Sequence, residues 1–241
     1  MKSTHRKILA LIPAKEGSRR LPAKNILPLA GKTLLERTIL SARKAAIFDR
    51  ICVSTESEKV AAIARRAGLE IPFMRPEELA RDPAGVVEVS LHALDEWERR
   101  GELFDTLVIL LPTSPFRLSS DITQALQAFD RLGVNFLMSV VKEVHSPLSS
   151  LVRDAEMVLP LHPEWLNATG AKTAAVTPDL VRANGAVVIV DVARFRRERN
   201  YYAYPLGTYE MPHERSLDID TPIEFSFAEF LAVRHPEWLD D

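Results

Sequence analysis

Cysteine is nearly missing from this chain of 241 residues. Cys52 alone, in the apolar run Ile51-Cys52-Val53, excludes an internal disulfide and reads as a buried, inert thiol in a reducing compartment. Long apolar runs are missing too. The polar start, Met1 to Lys7, meets only the short apolar stretch Ile8 to Pro13, too brief for a signal-peptide core. No later stretch reaches the roughly 18 apolar residues of a membrane span. Secretion and membrane insertion are therefore unsupported, and a cytoplasmic setting is expected. Charge of one sign is not in excess: 31 Lys+Arg stand against 33 Asp+Glu, a net charge of −2. That balance gives no support to a nucleic-acid surface. Internal repeats and low-complexity tracts are absent as well.

What is present is ordinary globular material, 46% hydrophobic and 27% charged, enough for one large domain over 1–241. Ile8 to Ile12 reads as a strand buried on both faces. Thr33-Leu34-Leu35-Glu36 is a capping box opening a helix to about Ala46. Strands at Arg50–Ser54, Leu107–Leu111 and Phe136–Val141 then alternate with helices at Ser57–Ala67, Glu88–Arg100 and Ser120–Leu132. This rhythm predicts an α/β fold with a doubly wound, mostly parallel sheet, whose ligand lies beyond the C-terminal strand ends. From Glu143 to about Arg182 the rhythm fails among prolines, which suggests an excursion from the sheet: an arm, lid or dimer contact. It returns with a strand at Ala186–Val190 and a helix after Thr221-Pro222-Ile223-Glu224.

Four segments carry candidate chemistry. The loop Pro13 to Asn25 follows the first buried strand and sets Lys15, Arg19, Arg20 and Lys24 around Gly17 and Ser18. Phosphate oxygens need such cations and open amides. A solvated basic turn is the other reading. The loop matches neither G-x-x-x-x-G-K-[ST] nor G-x-G-x-x-G, which disfavours a P-loop and a dinucleotide reader. Asp218 and Asp220 project to one face of an extended segment and suit Mg²⁺, although Asp220 could instead cap the next helix. Thr113, Ser114 and Arg117 lie at another strand end, where they fit either a sugar or carboxylate contact or a plain proline turn. Asn184-Gly185 reads as a turn before a strand. His145 and His213 lie near these segments, but neither is a convincing general base.

Together the segments resemble the CMP-N-acetylneuraminate synthetase family. The matching stretches are Ile12 to Arg19, Lys24-Asn25, Val53-Ser54-Thr55, Arg75 to Leu79, Leu111 to Arg117, Asn184-Gly185-Ala186 and Ser216 to Thr221. They follow the family's order across nearly the whole chain. The resemblance implies a Rossmann-like nucleotidyltransferase domain with a protruding arm, at about 143–182, that helps build a homodimer. It also implies a reaction of CTP with a 2-keto-3-deoxy nonulosonic acid, such as N-acetylneuraminate or legionaminate, giving the CMP-sugar and pyrophosphate with Mg²⁺. A transferase for another keto-sugar acid such as Kdo, or a non-catalytic nucleotide- or sugar-binding relative, are the alternatives.

By position in the motifs, Pro13, Ala14, Lys15, Gly17, Ser18, Arg19, Lys24, Asn25 and Arg75 would meet the nucleotide. Thr113, Ser114, Arg117, Asn184 and Gly185 would meet the acidic nine-carbon sugar. Asp218 and Asp220 would hold the metal and, with Lys24, carry catalysis. Several positions depart from the family. Lys15 stands where arginine is usual, and Leu111 replaces the glutamine of L-Q-P-T-S-P. Gly85-Val86 occupies a place where small hydroxyl residues are common, and Ser149 stands at the lysine of an H-P-L-K motif. The nucleotide half of the motif set is thus better kept than the sugar half.

Overall fold

The computed structural model describes residues 6–167, 170–171 and 178–239. In chain order the elements begin with β1 (Ile8–Pro13), the small hairpin β2 (Pro28–Leu29) and β3 (Lys32–Thr33), α1 (Leu34–Ala45), β4 (Arg50–Ser54) and α2 (Glu58–Arg66). Next come α3 (Val86–Arg99), β5 (Thr106–Ile109), α4 (Ser119–Leu132) and β6 (Phe136–Lys142). The hairpin β7 (Leu151–Asp154) and β8 (Met157–Pro160) follows, then the short β9 (Leu166–Asn167) and β10 (Gly170–Ala171). The chain closes with β11 (Val181–Asp191), α5 (Val192–Glu198), β12 (Leu206–Glu210) and α6 (Pro222–Arg234).

The central sheet has six strands in the order β12-β6-β11-β5-β1-β4. β4, β1 and β5 are parallel neighbours, β12 is parallel to β6, and β11 runs antiparallel to β5. Strand geometry sends alternate side chains to opposite faces, and β1 shows it directly. Ile8, Ala10 and Ile12 pack with Leu35 and Ile39 of α1, Val60 of α2 and Phe129 of α4. Leu9 and Leu11 pack on the other face with Leu91 and Leu94 of α3 and Phe195 of α5. Helices cover both faces, as a doubly wound sheet requires.

Local signals set the helix ends. Thr33 and Glu36 form the expected capping box on α1, and Thr221 and Glu224 form one on α6. Gly133 stops α4 with φ +61°. The Asn184-Gly185 pair is not a turn before a strand but lies within β11.

The chain divides into two compact units, 1–140 with 183–241, and 141–182. In the second unit the β7–β8 hairpin leaves Leu151, Val152, Met157, Val158 and Leu159 exposed.

Candidate active site

The loop after β1 is held by its backbone. The Ala14 N–H donates to the Ser54 carbonyl at 2.9 Å, and the Glu16 N–H donates to Glu56 Oε1 at 2.9 Å. Asn25 Nδ2 closes the loop by donating to the Lys15 carbonyl at 2.8 Å. Ala23 takes a left-handed conformation, φ 53°, just before the turn that presents Lys24. Held this way, Lys15 and Lys24 line two clefts at once.

The first cleft, of about 220 Å³, has Pro13, Asn25, Arg75 and Thr113 beside an apolar lining that includes Leu79, Val86 and Leu111. The second, of about 630 Å³, is walled by Gly17, Ser18, Arg19 and Arg20 and reaches Asp220. A polar, cation-lined cleft that shares Lys15 and Lys24 with a more apolar one suits a phosphate chain continuing into a ring. Ala14 lines neither: it is fully buried, and only its backbone contributes.

Arg75 is 5% exposed and ion-paired to Glu56, while its Nε has no partner. That leaves a buried donor in the lining of the first cleft. Burial would raise the Glu56 carboxyl, but hydrogen bonds from Arg75 and from backbone N–H groups hold it below its ordinary range. Nothing around Glu56 in sequence announces this role.

Asp220 and Asp218 have different surroundings. Lys24 Nζ donates to Asp220 Oδ1 at 2.6 Å and Arg20 Nη2 to Oδ2 at 2.5 Å. Burial works to raise the Asp220 carboxyl, and these two cations overcome it and hold the group low. The capping role left open for Asp220 falls to Thr221, whose Oγ1 accepts the Glu224 N–H. Asp218 is more enclosed, and burial pushes its carboxyl up, with the neighbouring Asp220 adding to the rise and a Thr113 hydrogen bond opposing it. Its Oδ1 is buried without any hydrogen-bond partner.

The segment bearing these aspartates is fixed from three sides. The Ile219 N–H donates to the Thr113 carbonyl at 2.8 Å. Arg215 makes a paired contact with the buried Asp121, which also accepts the Tyr209 hydroxyl at 3.0 Å. Asn184 Nδ2 donates to Ser216 Oγ at 3.0 Å.

Asn184 was expected to face a ligand; its side chain is turned into the protein. It is 1% exposed, and its Oδ1 accepts from Ser139 Oγ at 2.6 Å and from the Ala186 N–H at 3.2 Å. With Ser216 and the Met211 sulfur on Nδ2, the amide has no capacity left for a ligand. Arg117 is likewise turned inward, Nη1 donating to the carbonyls of Leu111 and Ala186 at 3.0 Å each. Ser114 is buried against the Asn184 carbonyl at 3.5 Å. These three frame the site from beneath, while Thr113 lines the first cleft.

Gly185 lines a third cleft, of about 200 Å³, with Val86, Leu111, Asp218, Tyr201 and Tyr202. Its φ of +73° favours glycine, and a Cβ there would come 3.3 Å from Leu111 Cδ1 and 3.7 Å from Asp218 Oδ2. The tyrosine pair, ring centroids 5.0 Å apart, was not among the expected site residues.

The described residues hold no group of three or more His, Cys, Asp or Glu able to cage a metal. Mg²⁺ does not need one, since it commonly takes one or two carboxylates, waters and substrate phosphate. The orphaned, buried Oδ1 of Asp218 beside the Asp220 carboxylate therefore fits a hard dication.

A cation-lined strand-end cleft that reaches Asp220, with Asp218 two residues away on the third cleft, is an architecture suited to nucleotidyl transfer. The chain belongs to the cytidylyltransferase family, whose pattern matches residues 9–234, and is a cytidylyltransferase. It is 31% identical to the CMP-N,N'-diacetyllegionaminic acid synthase of Legionella pneumophila, over 97% of this chain and 99% of that one. It is 32% identical to an N-acylneuraminate cytidylyltransferase of Escherichia coli over 92% of its length, spanning 51% of that longer protein. The fold matches a CMP:2-keto-3-deoxy-manno-octonic acid synthetase solved with CTP, at TM-score 0.69 and 16% identity, over 95% of this chain and 99% of the other. Among the described residues, no helix is long and apolar enough to cross a membrane.

Proposed function

We propose that the enzyme activates a nonulosonic acid with CTP, giving the CMP-sugar and pyrophosphate. The observation that carries this reading is Asp220, gripped by Lys24 and Arg20 in the cation-lined cleft, with Asp218 two residues away on the third cleft. CTP would thread its phosphates past Lys15, Ser18, Arg19 and Lys24, with its base and ribose toward Arg75 and the apolar lining. The sugar acid would occupy the cleft of Gly185 and the two tyrosines.

The anomeric oxygen of the acid then forms a bond to the α-phosphorus as the bond from that phosphorus to the α,β-bridging oxygen breaks. The hydroxyl proton passes to solvent and pyrophosphate departs. Such a transfer depends on alignment and on neutralising phosphate charge. Preorganised electrostatic contacts of this kind are each worth about 2.7–4 kcal/mol of barrier. Mg²⁺ held by Asp218 and Asp220 would supply Lewis-acid polarisation of phosphate oxygen. Lys24 and Arg20, which hold Asp220, also line the cleft proposed for the triphosphate.

The exposed apolar side chains of the β7–β8 hairpin support a second element of the proposal, that the 141–182 unit makes a homodimer contact. Pyrophosphate release tests the main reading. With Mg²⁺ and a panel of nonulosonic acids, CTP should give release, and ATP, GTP and UTP should not. Equal rates with all four nucleotides would remove the cytidine assignment from this site.

A further inference from the structure

We infer that Leu111 sets substrate choice, favouring nonulosonic acids whose tail carries acylamido and methyl groups over those with a hydroxyl-rich tail. This rests on the reading above, that the third cleft receives the acid.

Leu111 lines both the first and the third cleft, so it stands where nucleotide and acid would meet. It also lies against the position of Gly185, whose missing side chain keeps the space between Leu111 and Asp218 open. The remaining wall is apolar: Val86, Ile109, Met138 and Val188, with the rings of Tyr201 and Tyr202. Ser139 also lines the cleft, but its hydroxyl is already committed. It donates to Asn184 Oδ1 at 2.6 Å and accepts the Val187 N–H at 2.8 Å. Of the other polar groups in the wall, Asp218 belongs to the reacting end, and the tyrosine hydroxyls are the remaining side-chain donors.

A hydroxyl-rich tail seated on this wall loses water and can recover hydrogen bonds only from the two tyrosine hydroxyls, whereas a methyl or the methyl end of an acetamido group has none to lose. Glutamine at position 111 would add a donor and an acceptor at the junction. Leucine adds neither. An apolar pocket rejects an added hydroxyl only moderately, by up to about a hundredfold. The expected preference is therefore about tenfold to a hundredfold in kcat/KM.

The test compares N,N'-diacetyllegionaminic acid with N-acetylneuraminic acid at saturating CTP and Mg²⁺, by product mass. Wild-type enzyme should prefer the diacetyl acid by at least about tenfold. Leu111→Gln should shrink or invert the ratio, and Val188→Thr, a smaller change in the same wall, should shrink it too. Because the ratio is taken within one enzyme, any effect of Leu111→Gln on CTP binding cancels. A wild-type preference for N-acetylneuraminic acid, or a ratio unmoved in both variants, would overturn the assignment of Leu111. Turnover of neither acid is a separate result: it counts against the proposed function itself, and the inference falls with it.

Discussion

Lys24 Nζ lies 2.6 Å from Asp220 Oδ1, a contact that joins positions 196 residues apart and ties the first basic loop to the start of the last helix. Both partners are largely shielded from solvent, with side-chain exposures of 18% and 29%. The contact places the Lys24 ammonium where the first and second clefts meet.

Lys24→Met should weaken CTP binding. Hydrogen bonds to charged groups contribute about 1.5–3 kcal/mol, so Kd should rise about tenfold to a hundredfold. Calorimetry reads this directly, and an unchanged affinity would take Lys24 out of the nucleotide site.

Asp220→Asn should lower kcat by at least about a hundredfold, the scale seen when a preorganised electrostatic group is removed. The fold should persist, because Thr221 and Glu224 cap α6 without the Asp220 side chain. Near-normal pyrophosphate release by a folded variant would contradict the role given to this carboxylate.

Asp218→Asn should stabilise the protein at neutral pH while removing activity. The Asp218 carboxyl is raised in the fold, chiefly by burial. Its contribution is therefore fully favourable below the unfolded carboxylate value and is lost as pH rises through the higher folded value. Asparagine never ionises, so the variant should escape that loss. Each kcal/mol regained would lift Tm by about 2–4 °C in a chain of this size. A lower Tm than wild type at neutral pH would count against burial as the cause of the raised Asp218 carboxyl.

Glu56→Gln should act in the opposite sense. Glu56 is held low by Arg75, so its stabilisation is present above the unfolded carboxylate value and is lost as pH falls through the lower folded value. Breaking a buried ion pair typically costs about 3–5 kcal/mol. The variant should lose stability of that order in urea at neutral pH and show a flatter acid limb than wild type. Parallel pH profiles for the two proteins would argue that the pair contributes nothing.

The fold was largely legible because its signals are local. The all-apolar β1, the capping boxes at Thr33 and Thr221 and the stop at Gly133 each depend on a few neighbouring residues. β12 was missed because Leu206–Glu210 carries little apolar pattern, and partners in β6 define it. In the site, the basic loop and the aspartate pair could be read from residue type and spacing. The fate of Asn184 could not, since Ser139 and Ser216, which engage its amide, lie 45 and 32 residues away. Glu56, Tyr201 and Tyr202 were invisible for a related reason: a carboxylate or a tyrosine gains a role only when distant segments close around it.

CTP turnover by nonulosonic acid is tested most directly by following the fate of CTP with Mg²⁺ and N,N'-diacetyllegionaminic acid in wild-type, Asp218→Asn and Asp220→Asn proteins. Wild type should form the CMP-linked acid, identified by mass, with one pyrophosphate released per product, and both folded variants should form almost none. Pyrophosphate release without a CMP-linked product, or full product formation by either variant, would contradict the proposed function.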